Sequence, residues 1–178
     1  MDLQLTPEML AFRAEVQGFL EAHRPAWSQA SGSREAALAW QGTLIDHGYA
    51  ARTIPKAYGG YGAEADILKS RIIAEAFTEV GAPRGLANQG ISMLVPTLLE
   101  VGSEEQKQAW IRPTLRGEVV WCQGYSEPGA GSDLASLQTW AEDKGDHFLV
   151  NGSKIWTSGA QYADRCYCLV RTDRSKKH

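Results

Sequence analysis

Cysteine is scarce in this chain of 178 residues, and what there is does not pair by spacing. Cys122, Cys166 and Cys168 are odd in number and contain no Cys-x-x-Cys, and the four histidines (His23, His47, His147, His178) are far apart. That pattern excludes the ligand spacing of a structural zinc site and reads instead as buried, reduced thiols of a cytoplasmic protein. Long apolar runs are also missing. No stretch approaches the roughly 20 residues of a membrane span. The opening "MDLQLTPEMLAF" carries acids and no continuous apolar core, unlike a signal or transit peptide. Excess positive charge is lacking too, with 18 Lys and Arg against 21 Asp and Glu and a net charge of -3. Binding to nucleic acid needs clustered cations, and the single basic cluster, the terminal "RSKKH", reads as a solvated end. The chain has no internal repeat.

The residues that are present suit a packed fold. Apolar residues make up 43% and charged residues 22%, well outside the composition of disordered chains. The length fits one domain, or one domain plus part of another. Through residue 117 the patterns are helical. Thr6-Pro7 is an N-cap followed by proline at the first helical position, and that helix is expected to stop at Arg24-Pro25. Leu38, Gln41, Leu44 and Ile45 mark a second amphipathic stretch closed at His47-Gly48. After the irregular "IPKAYGGYG", the residues Leu68, Ile72, Ile73, Ala76, Phe77 and Val80 recur at helical spacing, Arg71 and Glu75 can pair, and Gly81 ends the segment. In "GISMLVPTLLEVG", Pro96 is expected to kink or divide a helix. "SEEQ" at Ser103 to Gln106 is a capping box opening another.

Beyond Gly117 the period changes to short strand-like runs: "VVWCQGY", "SLQTWAE", "HFLVNGSKIW" with an Asn151-Gly152 hairpin signal, and "RCYCLVRT". Helices followed by strands imply separate modules, residues 1–117 helical and 118–178 of antiparallel strands. So few strands rarely stand alone, so the second module reads as incomplete.

The glycine loop "EPGAGSD", Glu127 to Asp133, is the obvious candidate site. It is not a dinucleotide fingerprint, because the third position of G-x-G-x-x-G is Leu134 and no βαβ unit surrounds it; nor is it a P-loop, which needs Gly-Lys-Ser/Thr. On spacing alone it is a turn between strands.

In combination, "YSEPGAGSD", "VNGSKIWTSG" and "YADRCYCLVRTD" resemble the flavin-binding region of the acyl-CoA dehydrogenase family. "IPKAYGGYG" and "PTLLEVGSEEQKQAWIRPTLRGE" are similar to the family's N-terminal helical domain. The resemblance implies an α+β multi-domain fold: a helical domain, then the first part of a middle β domain, which makes residues 118–178 an incomplete antiparallel β-barrel-like domain, with the family's C-terminal helical domain absent from the chain. It implies FAD as cofactor, an acyl-CoA substrate, electron-transferring flavoprotein as acceptor and a homo-oligomer for the complete enzyme. By the same resemblance Gln123, Tyr125 and Ser126 lie beside the isoalloxazine, Trp156 packs on the ring, and Thr157 and Ser158 place polar groups near N5. Gly129 and Gly131 allow close approach, and Ser132 touches FAD or the substrate thioester. Glu127 and Asp133 are structural, and the base is a glutamate of the absent domain. Met93, Leu94, Val95 and Leu98 are candidates for the acyl pocket, although such residues are more often core. Three readings follow: a truncated dehydrogenase, a non-catalytic subunit of a heteromeric one, or a related acyl-CoA oxidase or nitroalkane-oxidase-like enzyme.

Overall fold

The computed structural model describes residues 5–175. These fall into two compact units. One runs to Ala87 and takes in Val95–Glu118; the other comprises Asn88–Leu94 and the chain from Val119 onward.

The first unit is helical: α1 (Pro7–Ala22), α2 (Arg24–Gln29), α3 (Arg34–Asp46), α4 (Ile67–Val80), α5 (Val95–Val101) and α6 (Glu104–Leu115). Local chemistry explains most of the boundaries. The Thr6 hydroxyl accepts from Met9 N, Ser33 from Ala36 N, Asp66 from Lys69 N, and Ser103 from Gln106 N within a complete capping box. Each supplies an acceptor to an N–H that has no partner inside its own helix. At the other end of α4, Gly81 adopts the left-handed conformation, φ 72°, that releases the chain.

One expectation about proline changes and another is met. Pro25 does not stop the chain's helical course: α1 caps at His23, and Pro25 lies in the first turn of α2, where its missing N–H costs nothing. Near Pro96 the division falls one residue earlier. Gly90–Leu94 is a π-type turn, and α5 starts at Val95 with the proline again in its first turn.

The core of this unit joins α1, α3 and α4. Val16, Phe19 and Leu20 meet Trp40, Leu44, Ile72, Ile73, Ala76 and Phe77. Only the central part of the α4 stripe is covered, since Leu68 and Val80 are exposed. Gln41, the one polar member of the α3 stripe, is buried. Its Nε2 donates to the Leu115 carbonyl at 2.8 Å and its Oε1 accepts from Leu86 N at 2.8 Å. One amide thereby holds α3, the end of α6 and the 83–87 segment together.

In the second unit, β1 (Trp121–Gly124) and β4 (Arg165–Cys168) pair in parallel, Trp121 opposite Arg165 and Gly124 opposite Cys168. β2 (Trp140–Asp143) and β3 (Phe148–Asn151) form an antiparallel hairpin. The antiparallel expectation therefore describes β2 and β3, while β1 and β4 run the same way. The hairpin turns at Lys144–His147, where Lys144 N donates to His147 O. It does not turn at Asn151-Gly152: Asn151 is paired with Trp140, and Gly152 lies against the Thr139 backbone with no room for a side chain. All of β3 is exposed, including Phe148, Leu149 and Val150.

Replacing Gln41 by leucine is expected to lower the unfolding free energy by about 3 kcal/mol, because it strands a buried donor and a buried acceptor together. Urea denaturation followed by tryptophan fluorescence measures this; a loss below about 1 kcal/mol would show that the amide is not the tie described.

Candidate functional site

The glycine loop and the "NGSKIWTSG" segment lie apart in sequence and together in space. Three contacts join them. Ile155 N donates to Ser126 O at 2.9 Å, Lys154 Nζ donates to Tyr125 O at 3.0 Å, and Lys154 Nζ meets Glu127 Oε1 at 2.8 Å. The ion pair is shielded, with side-chain exposures of 12% for Lys154 and 6% for Glu127.

Glu127 is committed on both oxygens. Oε2 accepts from Gln138 N at 2.6 Å, and Oε1 accepts from Thr139 N at 2.8 Å as well as from Lys154. Burial alone would push its pKa up; the Lys154 ammonium and the Thr139 and Gln138 donors outweigh it and hold the carboxyl at about 2, against an ordinary 4.5. A carboxylate held this way is an acceptor for the backbone at 138–139 and has no affinity to spare for a substrate proton. The loop closes on itself through Glu127 N to Ala130 O and Ala130 N to Glu127 O.

The residues singled out from the sequence take the following places. Gln123 lies in β1 opposite Tyr167, and Tyr125 meets Tyr167 edge-on at a ring separation of 5.8 Å. Ser126 is half-buried beside Ile155. Gly129, Gly131, Ser132 and Asp133 form an exposed rim, and a Cβ placed on either glycine would meet no atom of the described residues. Nothing in the chain's own packing therefore requires glycine at these two positions.

Trp156 is 84% exposed and holds φ at 58°, a conformation that non-glycine residues seldom adopt. A large aromatic in that state gains little burial to offset its backbone strain. The turn behind it is tight: Ser158 N donates to Trp156 O at 2.9 Å, and Ala160 N to Thr157 O. Thr157 and Ser158 follow on the same turn.

Of the acyl-pocket candidates, Leu94 and Val95 are buried and Met93 is exposed. The role of Lys154 escaped the sequence reading. Its signal was available, a lone cation ahead of the apolar pair Ile155-Trp156 in a chain whose other motif carries the acids Glu127 and Asp133.

The lock gives a pH dependence with a definite sign. Glu127 has a lowered pKa, so its contribution to stability is full above pH 4.5 and is lost as pH falls toward 2. Lys154→Met is expected to cost about 3 kcal/mol at pH 7, where it leaves a buried carboxylate without its counter-charge, and the deficit should shrink as the pH approaches 2. Urea titrations of both proteins across that range measure it; a pH-independent deficit would assign the loss to packing.

Comparison with known proteins follows the division seen in the fold. Residues 6–118 match the model for the acyl-CoA dehydrogenase N-terminal domain, and residues 122–178 match that for the middle domain. Acyl-CoA dehydrogenase FadE26 of Mycobacterium tuberculosis is 34% identical over 100% of this chain and 46% of its own length. Glutaryl-CoA dehydrogenase of Desulfococcus multivorans is 32% identical over 98% and 46%. Among solved structures, the ChsE4-ChsE5 complex from Mycobacterium tuberculosis contains a chain that superposes with a TM-score of 0.69 at 34% identity, covering 98% of this chain and 45% of that one. The chain thus spans about half the length of these relatives. Two domain models in order over nearly the whole sequence, the second spanning both motifs that the Glu127–Lys154 pair ties together, show that the chain belongs to the acyl-CoA dehydrogenase family.

Proposed function

We propose that this chain supplies the helical domain and one flavin-facing wall of a FAD-dependent enzyme that introduces an α,β double bond into an acyl-CoA thioester. The observation that supports it most is the joining of the two motifs, which holds Trp156 exposed on a rigid turn next to Ser126, Thr157 and Ser158.

These residues fit a flavin. Trp156 offers a flat apolar face, and the Ser126, Thr157 and Ser158 hydroxyls are free of partners among the described residues, so all three can serve a ring's polar edge. Gln123 and Tyr125 flank that edge from β1 and its exit. The open surface over Gly129 and Gly131 admits a ligand to the backbone, with Ser132 within reach of cofactor or thioester. FAD, when bound, would accept the hydride leaving the β carbon. The chain's part is to orient the ring and exclude water from one side.

The proton acceptor is assigned to the C-terminal domain of a complete enzyme, because Glu127 is consumed by Lys154 and by the backbone. The bare apolar faces of β3 are likewise assigned to the rest of the β domain. On this reading the 178 residues alone have no dehydrogenase turnover, the complete form is a cytoplasmic oligomer, and electron-transferring flavoprotein is its acceptor. A second reading, a non-catalytic subunit beside a catalytic one, is favoured by the relatives described as the ChsE4-ChsE5 complex and the Tcur3481-Tcur3483 steroid ACAD. The steroid relative also favours a bulky acyl group over a simple fatty chain.

FAD added to the purified chain is expected to bind saturably, quenching tryptophan fluorescence and perturbing the visible flavin band. Trp156→Leu should weaken that binding about tenfold, the worth of one aromatic stack. Equal binding by both proteins would remove Trp156 from the wall. Separately, acyl-CoA and an artificial acceptor should give no turnover with the chain alone; turnover above background would place the base within these residues.

A further inference from the structure

A cluster of cations in the helical unit has no part in the flavin wall. Lys56, Arg112 and Arg116 surround a depression of about 410 Å³, which is bounded also by Asp46, Gly59 and Tyr61. Positive charge here runs against a net charge of -3 for the chain.

Each cation has a built seat. The Arg116 guanidinium packs on α3: Nη1 lies so close over Gly42 that a Cβ there would meet it at 3.0 Å, and Nη2 bonds Asp46 Oδ1 at 2.6 Å. Its Nε is buried and has no acceptor among the described residues. The stem of Arg112 lies on Gly59, whose φ of 85° and whose space, 2.8 Å from a would-be Cβ to Arg112 Cγ, both require glycine. The stem of Lys56 covers Gly62 in the same way, 2.9 Å from a would-be Cβ.

The charges are not neutralised where they sit. Arg116, the C-cap of α6, lies one turn beyond Arg112, an arrangement in which like charges repel. Asp46 answers Arg116 alone, and neither Lys56 nor Arg112 has an ion-pair partner among the described residues. Glu104, the acid of α6 that faces the Lys56–Tyr58 turn, bonds the Tyr58 hydroxyl and begins roughly 12 Å along the helix from Arg112. Backbone donors of the loop are already used: Gly59 N by Lys56 O, Gly60 N by Pro55 O and Gly62 N by Ile54 O. A ligand here would therefore be held by side-chain cations.

We propose that this depression binds a phosphate group. Three cationic side chains at converging positions, one already braced by a carboxylate, suit a tetrahedral anion with several acceptor oxygens. The volume admits a pyrophosphate as readily as a single phosphate. Tyr61, on the rim and 37% exposed, packs on Gly48 beneath the Arg52 guanidinium and leaves its open edge for a group attached to the phosphate.

Calorimetric titration of the 178-residue protein with pyrophosphate tests this at about 0.1 M salt, where a Debye length of about 10 Å suppresses diffuse attraction. The expected result is saturable binding with Kd of about 1 mM or tighter, weakened about tenfold by Lys56→Gln and by Arg112→Gln. Lys107→Gln removes the same charge from the same helix outside the depression and should leave Kd unchanged. A parallel titration with ADP separates the sources: equal affinity assigns recognition to the phosphates, and tighter binding lost in Tyr61→Leu adds the base. Absence of saturable binding, or equal weakening by Lys107→Gln, would overturn the proposal. Unchanged melting temperatures in all variants keep loss of binding distinct from loss of fold.

Discussion

The β unit depends on one shielded ion pair. Two charges at 2.8 Å with little solvent around them are costly to assemble and more costly to break. Their attraction alone would not decide the structure. What decides it is that Glu127 also accepts from Gln138 N and Thr139 N, while Lys154 also donates to Tyr125 O. Three chain segments, 125–127, 138–139 and 154, are thereby pinned at one point, in a unit whose described sheets have two strands each and too little apolar burial to do the same. The strained Trp156 turn is affordable only next to such a fixed point.

The helical unit solves the same problem with a neutral group. Gln41 sits where the stripe on α3 would otherwise place an aliphatic residue, and its amide satisfies a carbonyl at the end of α6 and an N–H of the 83–87 segment. Around it the aromatic cluster of Phe19, Trp40 and Phe77 supplies the bulk of the burial, with Trp40 Nε1 anchored on Pro83 O. Burial gives this unit its stability, and one buried amide sets how its segments are joined. In both units a polar residue in an apolar setting carries the long-range order.

Much of the architecture was legible in the sequence because it follows from local chemistry. Caps at Thr6 and Ser103, the periodic stripe from Ile72 to Phe77 and the Gly81 terminator are short-range effects. The division expected at Pro96 is present, whereas Pro25 opens a short helix where an end was expected, because proline is tolerated in a first turn, a distinction that depends on where the preceding segment ends. The Asn151-Gly152 hairpin failed for a related reason. Two turn residues favour a hairpin only when the chain beyond them returns, and here Ser153 to Ile155 runs instead to Ser126.

The sequence by itself determined the helices, the change of period after Gly117 and, through its motifs, the family. These depend on residues within a few positions of one another, or on a pattern that relatives share. Only the tertiary structure decided that β1 and β4 run parallel, that Lys154 is the partner of Glu127 and that Trp156 is left exposed in a left-handed turn. Each of these depends on which segments meet across tens of residues, where the competing partners are chemically alike and geometry makes the choice.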